Sequence, residues 1–180
     1  MLNLVKKQGL GTWITLGTML LSVIGLIIYG AALSGGMDLI TANGSQPFYE
    51  ATRPEDSAMM TMVVTCGILS LVFLCAAVVL GQLKFEGLVG KIVDIVVGAL
   101  RVVAPALLMV TILYFVYGSF TGLGWTLFSN EELEINPEAV AVAHTVITGI
   151  VFLVIAAIAS IVAVFFGINK KQKLEEAKAE

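Results

Sequence analysis

Long stretches without a formal charge alternate along this chain with short patches that hold all of its charges. No Asp, Glu, Lys or Arg occurs from Gln8 to Met37, from Ser57 to Leu83, from Val102 to Asn130 or from Ala139 to Asn169. About 20 apolar residues in a helix cross a hydrocarbon core roughly 30 Å thick, so each stretch suffices for one crossing. The stretches are continuously apolar rather than alternating, which selects helices over barrel strands, and only those two architectures satisfy the backbone in lipid. The pattern predicts an all-α membrane protein, a four-transmembrane-helix bundle with spans at about 13–33, 60–80, 98–117 and 140–165. Two long outer loops, 38–57 and 118–138, an inner amphipathic segment, 84–101, leading into the third span, and a tail, 168–180, complete one integral membrane domain over 1–180.

Orientation follows from the basic residues, because cytoplasmic flanks carry an excess of Lys and Arg. Four spans put both termini and the middle connection on one side, which holds nine of the basic residues, whereas Arg53 alone lies on the other. Both termini are therefore expected in the cytoplasm, with the plasma membrane as the expected location. Eight of the acids fall on the outer side, so the formal net charge of −3 conceals a transverse dipole. The basic inner flanks favour anionic lipid. Lys6 and Lys7 before an apolar run also suit a signal peptide, but the run exceeds the usual h-region of about 7–15 residues, and the expectation is a retained anchor.

Composition narrows the function classes. Hydrophobic residues make up 58% and charged residues 13% of the 180 residues, against about 25% charged in a soluble domain. That excludes a water-soluble enzyme, a disordered tail and a nucleic-acid-binding module. HExxH, GxSxG, P-loop, CxxC and Cys/His ligand patterns do not occur, so the sequence points to no catalytic residue, cofactor or metal site. The outer acids lack EF-hand spacing and read chiefly as a solvated face. Cys66 and Cys75, about 13 Å apart along one helix, cannot bridge each other and are expected to be buried small apolar residues.

Several residues stand out from the apolar background. Lys84, Gly87, Lys91, Asp94, Gly98 and Arg101 recur every three or four positions and form one helical stripe. Either the segment lies at the membrane interface, or Lys84, Lys91, Asp94 and Arg101 dock a cytoplasmic partner. Arg101 falls about one turn inside the third span, where it snorkels, pairs with Asp94 or faces a polar cavity; Pro105, four residues on, offers a kink. His144, the sole histidine, lies in the outer half of the fourth span, and with Arg101 it is a candidate for a polar path. Phe48 and Tyr49 in the first outer loop and Trp125 and Phe128 in the second are candidates for an interface. Pro137 fits the first turn of the fourth helix. Pairs of small residues four apart, Gly30 with Ser34, Ala77 with Gly81, Ala156 with Ser160 and Ala159 with Ala163, suit close helix packing.

In layout alone the chain resembles tetraspan membrane proteins; the paired-Cys signature of claudins does not occur in the first loop, and the layout implies no function. The functional expectation is a non-enzymatic accessory or scaffold subunit of a larger membrane complex, such as a transporter or envelope assembly. Its partners would be membrane lipid, other membrane-protein subunits or further copies of the chain, with no nucleic acid. The alternative is a small homo-oligomeric channel or transporter with Arg101 or His144 lining the path.

Overall fold

The structure, a computed structural model, describes residues 8–42, 54–83, 87–128 and 137–167. They form four helices: α1 (Leu10–Ala42), α2 (Pro54–Gln82), α3 (Gly87–Phe128) and α4 (Pro137–Val164). Each contains a segment long and apolar enough to cross a membrane. Pro54 and Pro137 both open their helices, where the missing N–H would lack an intrahelical partner in any case. Gly87 opens α3 with a φ of 66°, a left-handed conformation that strains any residue with a Cβ.

The helices run alternately up and down, and their packing register is consistent from one end to the other. Gly11 of α1 lies against Phe166 and Gly167, and Gly25 lies against Leu153 of α4. Gly149 of α4 meets Phe115 of α3, while Arg101 at the other end of that pair reaches Ala163 and Phe166. Ser70 of α2 contacts Ala104 of α3, and Gly67 contacts Leu26 of α1. α1 packs most extensively on α4 and α2 on α3; α1 and α2, though consecutive, meet less. The end holding Gln8 and Gly167 is termed proximal below and the opposite end distal.

This register locates the crossing within each helix. About 30 Å of helix measured from Leu10, the proximal limit of α1, reaches roughly residue 32 and projects onto roughly 96–118 of α3 and 146–167 of α4. Exposed Trp13 on α1 and exposed Tyr117 on α3 then lie about 27 Å apart along the bundle, the separation expected of aromatic belts at the two edges of a membrane.

Helical structure continues well beyond the crossing. α3 has 42 residues, so it is about 63 Å long, roughly twice the hydrocarbon thickness. Residues 38–42, 54–57, 118–128 and 137–138, read from sequence as parts of the outer loops, are helical, and the rest of those loops lies outside the described residues. The amphipathic segment is continuous with the third span from Gly87 onward and shares its axis, as a lead-in rather than a separate helix lying flat. It turns Val93, Val97 and Leu100 toward Ala77 and Leu80 of α2. Pro105 does not end α3, and the carbonyl just before it, that of Ala104, accepts a 2.8 Å hydrogen bond from the Ser70 hydroxyl.

Candidate functional site

The proximal end collects polar groups from all four helices. A helix leaves its first N–H and last C=O groups without intrahelical partners, and in lipid no water is present to replace them. α4 ends in tightened turns, with Phe165 N–H donating to Val162 O at 3.1 Å and Phe166 N–H to Ala163 O at 3.2 Å. Arg101, half-buried on α3, donates through Nη2 to the carbonyls of Ala163 and of Phe166, the latter at 2.8 Å. Gly11 N–H, near the start of α1, donates to Gly167 O at 3.3 Å. One unpaired donor of α1 thus meets one unpaired acceptor of α4, and a guanidinium stands at the negative end of the α4 dipole. Gln82 at the end of α2 donates to Gln8 Oε1 at 2.6 Å and ties in the remaining helix.

Gly11 is required for this junction. A Cβ at this position would lie 2.3 Å from Phe166 O and 2.9 Å from Gly167 O, both backbone atoms that cannot rotate away. Gly25 and Gly67 also admit close neighbours, but a Cβ there would meet the flexible side chains of Leu153 and Leu26.

Inward from the junction, the interior is lined with hydroxyls. Thr12, Thr15, Thr18 and Ser22 are buried along one face of α1 at spacings of three, three and four, and Ser160 is buried on α4 opposite them. Thr15 and Thr18 donate to the carbonyls of Gly11 and Ile14 in their own helix, at 2.7 and 3.0 Å. Ser22 Oγ and Ser160 Oγ are buried without a hydrogen-bond partner. By register Thr18 and Ser160 share a level, and Ser70, bonded to Ala104 O of α3, lies within about one turn of it, so hydroxyls of three helices and a carbonyl of the fourth gather in this part of the bundle. The distal half differs: Tyr29 and Phe115 meet edge to face, with ring centroids 4.6 Å apart and planes at 74°, inside a cluster with Ala32, Val63, Val146 and Leu153.

The chain matches no protein-family model, no curated protein and no solved structure.

The residues singled out from sequence are scattered by the fold. Lys91 and Asp94 are exposed on the proximal turns of α3, and Lys84 lies outside the described residues. Arg101 takes the α4 carbonyls. His144 is exposed on α4, its carbonyl accepting from Thr148 Oγ1 at 2.7 Å. Nineteen residues of α4 separate His144 from Ala163, the partner of Arg101, or about 28 Å along the axis, so the structure does not bring Arg101 and His144 together. Phe48 and Tyr49 lie outside the described residues; Trp125 and Phe128 sit on the last turns of α3, with their side chains outside the described ones.

The cysteine expectation holds for one residue only. Cys66 is buried, whereas Cys75 is exposed, because it faces away from both packing partners of α2. Among the described residues no group of three or more His, Cys, Asp or Glu is placed to hold a metal ion. Of the small residues, Ala77, Ala156, Ser160 and Ala163 pack inside, while Gly30 is exposed with open space around it. Sequence reasoning passed over the hydroxyl row of α1, although its spacing of three and four within an apolar run is the available signal. It also passed over Gly11, Gly25, Gly67 and Gly149, the positions of closest helix approach.

Proposed function

We propose that the protein is a non-enzymatic accessory or scaffold subunit of a larger membrane complex, such as a transporter or envelope assembly. The observation that carries the reading is the way both ends of the bundle interior are occupied. Arg101 folds onto the terminal carbonyls of α4 at the proximal end, and the Tyr29–Phe115 pair fills the distal half. Between them Gly25, Gly67 and Gly149 bring the helices to contact distance. An interior packed in this way is suited to holding a shape, and the work then falls to the outer surface. That surface is apolar over the crossing, with Leu20, Ile27, Ile68, Leu113 and Ile158 among its exposed side chains, and it meets lipid or the helices of other subunits.

In this reading the proximal end, rich in Lys and Arg, faces the cytoplasm, and the membrane is the plasma membrane. The test is gentle extraction at native expression level, with the mass of the intact particle and identification of every chain in it. The expected result is a stoichiometric foreign membrane subunit; a particle containing only copies of this chain contradicts the reading.

One observation favours a second reading, a small homo-oligomeric channel or transporter. Buried hydroxyls of α1, α2 and α4 gather in the proximal half, and two of them, Ser22 and Ser160, lack partners. Ion or solute flux through vesicles containing the purified chain alone would select this reading over the first.

A further inference from the structure

A groove of about 320 Å³ opens on the outside of the bundle between α3 and α4, near the proximal end. Val102, Ala106 and Met109 of α3 form one wall, Ile161, Val164 and Phe165 of α4 the other, and Pro105 contributes beside them; the lining is almost wholly apolar. The groove lies within the membrane crossing, so its occupant is either a hydrocarbon chain or another helix. Its dimensions suit a chain better than a helix. From Val102 to Met109 is about 10 Å along the axis, whereas a transmembrane helix is about 10–12 Å across and makes contact over much of a 30 Å core. The volume lies at the low end of small-ligand sites, which run from about 300 to 1,000 Å³.

The same stripe of α3 continues proximally through Gly98 and Ile95 to Lys91, at intervals of three and four residues. Gly98 and Lys91 are exposed, and the space about Gly98 is open. Lys91 therefore stands above the groove on the same face, about 16 Å from Val102 along the axis, at the level where a headgroup lies. Asp94 is the nearby acid among the described residues, while Arg101 adds a positive charge at the end of α4. The exposed ammonium of Lys91, on the same stripe as the groove, complements an anion.

We propose that the groove is a phospholipid site, in which one acyl chain lies between α3 and α4 and an anionic headgroup sits at the proximal end beside Lys91. The site is independent of the subunit reading.

The test uses the full chain, reconstituted in vesicles of equal parts phosphatidylglycerol and phosphatidylcholine, re-extracted, and weighed intact with its retained lipid. The wild type is expected to keep one phosphatidylglycerol. Ala106→Trp fills the groove and is expected to lower retention about tenfold or more, the equivalent of losing about two buried methylenes. Val102→Trp serves as the second filling variant, and Val151→Trp, on an exposed face outside the groove, is expected to retain lipid as the wild type does. Lys91→Gln is expected to reduce the preference for phosphatidylglycerol about fivefold while a chain is still held. Retention unchanged in whichever filling variant folds would overturn the site. Equal retention of the two lipids, indifferent to Lys91→Gln, would overturn the anionic headgroup. Loss of a bound protein subunit from the filling variants, with no lipid on the wild type, would overturn the proposal in favour of a protein dock.

Discussion

The two halves of the bundle interior solve the same packing problem with different chemistry. Proximally the helices are held by directional bonds: Arg101 to the α4 carbonyls, Gly11 N–H to Gly167 O, Gln82 to Gln8, and Ser70 to Ala104 O. Distally they are held by shape, with Tyr29 and Phe115 edge to face and Val63, Val146 and Leu153 around them. The location of helix ends accounts for the difference. α4 terminates proximally at Val164, within the crossing or at its edge, and its open carbonyls need donors. At the distal end α1, α3 and α4 all run past the crossing, so no helix end needs to be satisfied there. The bonds of Arg101 and Gly11 gather where the backbone of α4 lacks partners, whereas buried hydroxyls such as Thr111 and Ser119 turn back on carbonyls of their own helix.

Variants that act on only one half can break this comparison. Phe115→Ala is expected to be the most damaging, by about 3–5 kcal/mol in reversible unfolding in detergent, because it empties the best-filled part of the distal core. Gly11→Ala should cost about 3 kcal/mol at the proximal junction, since its Cβ clashes with carbonyls that cannot move aside. Gly25→Ala should cost less, about 1–2 kcal/mol, because Leu153 can adopt another rotamer; an equal cost for the two would argue against the junction. Arg101→Met should lose about 2–3 kcal/mol, with amide exchange rising in the last turn of α4 before any other segment. The smallest effect sharpens the picture most: Ser70→Ala should lose about 1 kcal/mol, whereas Ser22→Ala should gain up to about 1 kcal/mol, because Ser70 has a partner and Ser22 has none.

The legible parts of the fold were those set by solvent. Four charge-free runs announced four crossings, and Pro137 announced the start of α4, because both signals act locally. The same rule applied to Pro54 would have placed the start of α2. Helix length beyond the membrane was hidden. Asp38 in α1, and Ser119, Thr121, Gly122 and Gly124 in α3, look like the end of a span, yet none of them breaks a helix in water. The partner of Arg101 was hidden for a different reason. Its acceptors are backbone carbonyls 62 and 65 residues away, and a carbonyl leaves no mark in a sequence. Of the sequence's three alternatives for Arg101, snorkelling, pairing with Asp94 or facing a polar cavity, none named the end of a helix dipole, which supplies the compensating negative charge.

The central claim is that the interior is packed shut and that the outer surface carries the function. Single cysteines at Ser22, Thr111 and Ser160 in a Cys66→Ala, Cys75→Ala background test it most directly, by their reaction with a water-soluble, membrane-impermeant thiol reagent applied to each face of sealed vesicles in turn. All three side chains are buried, on α1, α3 and α4. The account predicts that none of the three is labelled from either face under conditions that label a control cysteine outside the membrane. Labelling of all three would reveal a water path through the bundle and contradict the account.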